Sequence, residues 1–171
     1  IFGTLSAGGT IIIDEFDGIK DMVSLEKLFF DNQITIWNSV PVLMEMFINF
    51  ISAKQIRLLQ NSLRLVLLSG DWIPVTLPDK IRHYFGNKVM IVSLGGATEA
   101  SIWSILYIID KVDPKWKSIP YGMAMYNQNF IILDKDLNPS GKDQTGELFI
   151  GGIGLAKGYW GNKKLTARHF I

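Results

Sequence analysis

The stretch RLVLLSGDWIPVTLPDKIRHYFGNKVMIVSL, residues 64–94, changes texture twice and sets the fold class. RLVLLS (64–69) is an almost unbroken apolar run closed by Gly70, the pattern of a buried strand. LPDKIRHYF (77–85) reads as a helix. KVMIVSL (88–94) returns to strand. Strand, helix and strand, with both strands apolar throughout, predict a mostly parallel sheet with flanking helices on its faces.

The same alternation extends upstream. TIIID (10–14) is a short β-branched run behind Gly8 and Gly9 and reads as another buried strand. KDMVSLEKLFFDN (20–32) sets Met22, Leu25, Leu28 and Phe29 at helical spacing and predicts an amphipathic helix ending near Asn32. ITIWN (34–38) is β-like. Ser39 and Pro41 then open a helix with Leu43, Met46, Phe47, Phe50 and Ile51 among its apolar positions.

Past residue 110 the pattern differs. A proline-containing loop, DKVDPKWKSIPYG (110–122), leads to NFIILD (129–134), the turn-rich DLNPSGKDQTG (136–146) and ELFIGG (147–152), which predict antiparallel hairpins. NKKLTARHF (162–170) reads as a helix. The expected α/β organisation is therefore a sheet subdomain over 1–110, incomplete at its N-terminus, and a small β-barrel-like subdomain over 111–171, truncated at its C-terminus. Neither chain end carries a capping or stop signal, which suggests a fragment.

Composition narrows the function. The 171 residues are 48% hydrophobic and 19% charged, which predicts a packed globular core. Seventeen basic against sixteen acidic side chains leave a net charge of +1, too balanced for a nucleic-acid or anionic-membrane surface. The longest apolar run, VPVLMEMFINFI (40–51), is broken by Glu45 and Asn49 and falls short of the roughly 20 residues that span a bilayer. IFGTLSAGGT (1–10) has no signal-peptide character. The lack of cysteine removes disulfides and thiolate metal sites. These features predict a cytoplasmic protein whose partners are small ligands, with no nucleic acid and no membrane.

In open α/β sheets ligands sit beyond the carboxyl ends of the strands. Three such ends carry polar or glycine-rich segments: Asn38, then SGDW (69–72), then LGGATE (94–99). They are expected to converge on one crevice. Gly95 and Gly96 remove side chains where a backbone could approach a ligand, and the Thr98 hydroxyl beside backbone amides can hold a phosphate oxygen. Glu99 is a hard oxygen ligand suited to the Mg2+ that accompanies ATP. Taken alone, the same residues also suit a plain turn with a helix cap. His83 and His169 sit in helices with no carboxylate or cysteine cluster near them in sequence and are read as surface or core residues. The glycines of GELFIGGIGLAKGYW (146–160) are assigned to hairpin turns.

Five segments in order, IFGTLSAGGT, LLSGDWIP, SLGGATEASIWSI, IPYGMAMYNQNFIILD and GELFIGGIGLAKGYWGNKKLTARHFI, are spread from one end of the chain to the other. Together they resemble the middle of an adenylation domain of a nonribosomal peptide synthetase, in the adenylate-forming superfamily with acyl-CoA ligases and luciferases. The resemblance implies ATP-dependent activation of an amino-acid carboxylate to an aminoacyl-adenylate. The acyl group is then passed to the phosphopantetheine of a peptidyl carrier domain. It also implies that Thr98 contacts phosphate, that Glu99 ligates Mg2+, and that Gly70, Asp71, Leu94, Gly95 and Gly96 line the nucleotide pocket.

One departure stands out. The commoner family pattern is Tyr-Gly-Pro-Thr-Glu, whose tyrosine stacks on adenine; here Gly95 and Ala97 replace the tyrosine and the proline, so stacking must come from elsewhere. This form resembles adenylation domains beside condensation or heterocyclisation domains of thiazoline-forming assembly lines, which activate cysteine. By motif match the side-chain pocket is Asn38, Leu67, Ser69, Leu94, Ile102 and Trp103. Trp103, Leu94 and Ile102 would shrink an apolar cup, while Asn38 and Ser69 would face a weakly bonding thiol. Serine is the near competitor, since contacts alone separate the two by only on the order of 100-fold. Without the family pattern, Leu67, Leu94 and Ile102 also suit simple core and Trp103 a packing anchor.

The family's glycine-rich phosphate loop, the aspartates for the amino group and ribose, and the catalytic lysine fall outside these residues, so the piece alone is expected to be inactive. Two other readings stay open: a fragment of an acyl-CoA ligase, and a catalytically silent domain kept for protein contacts.

Overall fold

The computed structural model describes residues 1–13, 21–54 and 61–171. Five strands follow one another in a single sheet in the order β1 (Ile36–Ser39), β2 (Leu65–Ser69), β3 (Met90–Gly95), β4 (Ile105–Ile108), β5 (Met123–Ala124), with helices flanking them. Two compact units divide the chain. The first is Ile1–Ile91 with Asp110–Ser118, and the second is Val92–Ile109 with Ile119–Ile171.

The first unit has the predicted strand and helix alternation. α1 (Phe2–Ser6) is followed by α2 (Met22–Asp31), β1, α3 (Pro41–Ala53), β2 and α4 (Leu77–Phe85). Asp21 caps α2 by accepting from the Val23 amide at 3.0 Å, and the Asn32 side chain closes the helix by donating to the Leu28 carbonyl at 2.9 Å. Pro41 occupies the first turn of α3, where its missing N–H would have had no partner anyway. Gly86, at φ +99°, ends α4.

β1 and β2 are parallel, in the register Trp37 to Val66 and Asn38 to Leu67. Alternation therefore sends Trp37, Val66 and Leu68 to the buried face and Asn38, Leu67 and Ser69 to the opposite one. On the buried face Trp37 stacks on Phe47 with ring centres 5.0 Å apart, and Phe29 lies 5.5 Å from Phe47 and 5.7 Å from Phe85. α2, α3 and α4 thus each supply one ring to a shared aromatic core. Lys80 of α4 also pairs with Glu45 of α3 at 2.7 Å.

In the second unit the end of β3 runs antiparallel to β4, with Leu94 opposite Leu106 and Gly95 opposite Ile105. β4 pairs antiparallel with β5, Leu106 opposite Met123. β6 (Gln128–Leu133) and β7 (Glu147–Gly152) form a separate antiparallel pair, and α5 (Lys163–His169) follows, capped by the Asn162 side chain on the Leu165 amide at 3.0 Å.

Several expectations change. The sheet is mixed, because β4 and β5 return antiparallel beside β3. Among the described residues the second unit holds a two-stranded hairpin and no closed barrel. The strand expected at 10–14 does not form over residues 10–13, and Asp14 lies outside the described residues, as does Lys20 at the start of the second predicted element. β-branched side chains favour a pleated surface only where a partner strand offers one. Among the described residues no helix is long and apolar enough to cross a membrane.

Candidate functional site

In the first unit the candidate residues gather at the carboxyl ends of β1 and β2. Asn38 and Leu67 are direct cross-strand partners, and Ser69 lies two residues along on the same face, away from the aromatic core. Gly70 follows at φ +87°, which turns the chain sharply out of β2; a side chain there would also press to 3.3 Å of Val40. Asp71 is exposed and accepts from the Trp72 amide at 2.7 Å.

In the second unit Leu94 to Trp103 form one closed loop. The Ser104 amide donates to the Gly95 carbonyl at 2.8 Å, so the chain returns to its starting point within nine residues. Between these ends, Thr98–Ala100 make a single 3-10 turn, and the Ala97 carbonyl accepts from Ala100 at 2.9 Å and from Ile102 at 3.2 Å. Gly96 has an internal cause: a Cβ there would lie 2.4 Å from the Ile102 carbonyl oxygen and 2.8 Å from the Ser104 nitrogen. Gly95 likewise makes room for the ring of Tyr121, whose Cε2 would meet a Cβ at 2.1 Å.

The loop is strained. Ser101 (φ +62°) and Ile102 (φ +73°) are consecutive non-glycine residues in the left-handed region. Ile102 is the centre of a three-residue turn closed by the Trp103 amide on the Ser101 carbonyl at 3.1 Å, a conformation that β-branched residues avoid. Ile102 is 63% exposed, so no burial of its own compensates. The conformation is held by what surrounds it: the Ser101 hydroxyl donates to the Gly154 carbonyl at 2.8 Å and the buried Ser104 hydroxyl to the Ala100 carbonyl at 3.2 Å.

Glu99 is fixed from two sides. The Ala156 amide donates to its carbonyl at 2.6 Å, and the Tyr159 hydroxyl donates to its carboxylate. That bond from Tyr159 holds the Glu99 carboxyl below its ordinary value and pushes the Tyr159 hydroxyl up. Tyr159 is itself anchored by α5: its amide donates to the Thr166 hydroxyl at 2.9 Å, and its ring makes edge contacts with His169 and Phe170 at 6.0 and 5.7 Å. His169, distant from the loop in sequence, thus stands beside the tyrosine that holds Glu99. Thr98 is exposed on the same turn.

Tyr159 and Tyr121 were not among the predicted site residues. Neither carries a local signal, since each acquires its place through a contact with a residue at least 26 positions away in the chain.

Among the described residues no group of three or more histidine, aspartate and glutamate side chains could cage a metal ion. A single carboxylate beside an exposed hydroxyl fits the other common arrangement, in which Mg2+ arrives with substrate phosphates and takes one or two protein carboxylates. Glu99 and Thr98 fit that requirement.

Residues 1–160 match the family of AMP-binding enzymes. The chain belongs to that family. It is 46% identical over its full length to bacitracin synthase 1 of Bacillus licheniformis, of which it covers 3%, and 37% identical to pyochelin synthetase PchE of Pseudomonas aeruginosa, of which it covers 12%. Among solved structures, the nonribosomal peptide synthetase FmoA3 in its α-methyl-L-serine-AMP bound form superposes with a TM-score of 0.91 at 38% identity, over 99% of this chain and 19% of that one. The same synthetase in its AMPPNP bound form gives a TM-score of 0.89. The chain thus spans a small part of the relatives it matches.

Proposed function

We propose that this chain is the central part of an amino-acid adenylation domain within a longer nonribosomal peptide synthetase of the cytoplasm. The observation that carries the proposal is the loop of residues 94–104, which presents Thr98 and a rigidly held Glu99 carboxylate from a self-closed turn. The likeness to synthetases, one of them solved with an aminoacyl-AMP, supports it.

In this reading the substrate carboxylate oxygen attacks the α-phosphorus of ATP, the bond to the bridging oxygen breaks, and pyrophosphate leaves. Such chemistry needs positioning and charge neutralisation more than covalent participation by the protein. Thr98 would donate its hydroxyl to a phosphate oxygen, and Glu99 would hold Mg2+, which when bound would supply charge neutralisation on the triphosphate. By motif resemblance, Gly70, Asp71, Leu94, Gly95 and Gly96 are assigned to nucleotide binding, and Asn38, Leu67, Ser69, Leu94, Ile102 and Trp103 to the amino-acid side chain.

The proposed substrate is cysteine, with serine next. A relative bound to α-methyl-L-serine-AMP keeps a hydroxyl side chain in contention. The acyl group then passes to phosphopantetheine on a peptidyl carrier domain, with a condensation or heterocyclisation domain as neighbour. The proposed organisation is an α/β part over 1–110 and a β part over 111–171. Residues 1–171 alone should be inactive.

The test is amino-acid-dependent pyrophosphate exchange by the full-length parent protein. Cysteine is expected above serine, and a flat response to every amino acid overturns the reading.

A further inference from the structure

Gly95 closes β3, is buried, and faces Ile105 of β4. A Cβ on it would lie 2.1 Å from Cε2, 2.5 Å from Cζ and 2.7 Å from the hydroxyl oxygen of Tyr121. A side chain at position 95 and the Tyr121 ring therefore compete for one space, and the glycine concedes it to the ring.

The backbone that carries the ring is closely placed. Gly122, at φ +112°, brings its main chain so near β4 that a Cβ would sit 2.0 Å from the Leu106 carbonyl oxygen. Met123 and Ala124 then pair with Leu106 and Ile105. Two glycines and two ladder positions thus fix where Tyr121 leaves the backbone. Yet Tyr121 is 48% exposed: one side rests on Gly95 and much of the ring stays open.

An open aromatic ring on a closely placed backbone, next to a loop that bears an exposed threonine and a held carboxylate, suits a ligand with a flat π-system at one end and phosphates at the other. We propose that Tyr121 is the base-stacking platform of the nucleotide site, with Gly95 as the residue that lets the ring lie there. The assignment rests on the adenylation reading for the identity of the nucleotide. Stacking of a base on an aromatic ring is sequence-tolerant and strong enough to change affinity about tenfold. Tyr121 is thereby a binding residue and takes no part in bond making.

The test uses the full-length parent protein. Tyr121→Leu, which keeps apolar contact with Gly95 but has no π-face, is expected to raise the KM for ATP and the Kd for AMP about tenfold. The KM for the amino acid should stay unchanged, and Tyr121→Phe should remain near the original protein. Unchanged ATP and AMP affinity in a folded Tyr121→Leu overturns the proposal. If that variant does not fold, the unsubstituted protein labelled with 3-fluorotyrosine decides. The fluorine resonance that Tyr121→Phe removes should shift when AMP is added, and a stationary resonance overturns the proposal.

Failure of the adenylation reading is recorded separately. A protein flat in pyrophosphate exchange whose Tyr121 resonance moves with AMP loses the adenylation reading and keeps the platform. Exchange activity with a stationary resonance does the reverse.

Discussion

The Tyr159 hydroxyl donates to the Glu99 carboxylate across sixty residues of chain, tying the segment before α5 to the turn at Thr98–Ala100. A carboxylate held this way keeps one orientation. Removing the hydroxyl should loosen it. Tyr159→Phe is expected to raise the Mg2+ concentration needed for half-maximal pyrophosphate exchange several-fold, with little change in the amino-acid KM. Glu99→Gln should weaken the metal dependence further. An unchanged magnesium titration in both variants would count against Glu99 as the metal ligand.

The same bond has a pH signature in the metal-free protein. Because Tyr159 holds the Glu99 carboxyl below its ordinary value, the contact stabilises the fold above that ordinary value and is lost as pH falls through the lowered one. The thermal midpoint of Tyr159→Phe should therefore fall short of the original at neutral pH, and the difference should narrow in acid. A constant difference across the acid range would mean the ring packing, not the hydrogen bond, was lost.

Asp21 gives a parallel case remote from the loop. Its carboxyl is lowered first by the Ser24 hydroxyl and then by the Val23 amide, both donating to it at the start of α2. Asp21→Ala should reduce stability at neutral pH, with the loss disappearing as pH drops below the lowered value. Thermal melts at two pH values check this.

The Ile102 turn predicts a trade between stability and selectivity. Ile102→Gly relieves the left-handed strain and should raise unfolding free energy by about 1 kcal/mol. It also removes a proposed pocket wall, so discrimination between cysteine and larger amino acids in pyrophosphate exchange should fall. A variant with lower stability would show that the side chain contributes packing that its exposure hides.

Phe47 is fully buried among Trp37, Phe29 and Phe85. Phe47→Ala should destabilise the protein by about 3–5 kcal/mol through the cavity it leaves in the aromatic core. Denaturant unfolding measures this directly.

Local pattern carried a good part of the fold. α2, α3, α4, β1, β2 and β3 follow from side-chain period, apolar strand runs and the Ser39 and Pro41 start of α3, all of which act within a few residues. The hairpin of β6 and β7 was readable for the same reason. β4 and β5 escaped notice because ILYI and MA are too short to show a period, and they become strands only by finding β3 and each other. Thr10–Ile13 failed in the opposite sense, with strand composition but no pairing strand among the described residues.

At the candidate site the proposals for Thr98, Glu99, Asn38 and Ser69 rest on residue type and motif resemblance, which are local properties of the chain. The strain at Ser101 and Ile102, the latch from Tyr159 and the ring of Tyr121 on Gly95 could not be read from the chain alone. Each arises from the closing of a long loop, and the interaction at its ends depends on packing that only the assembled tertiary structure supplies.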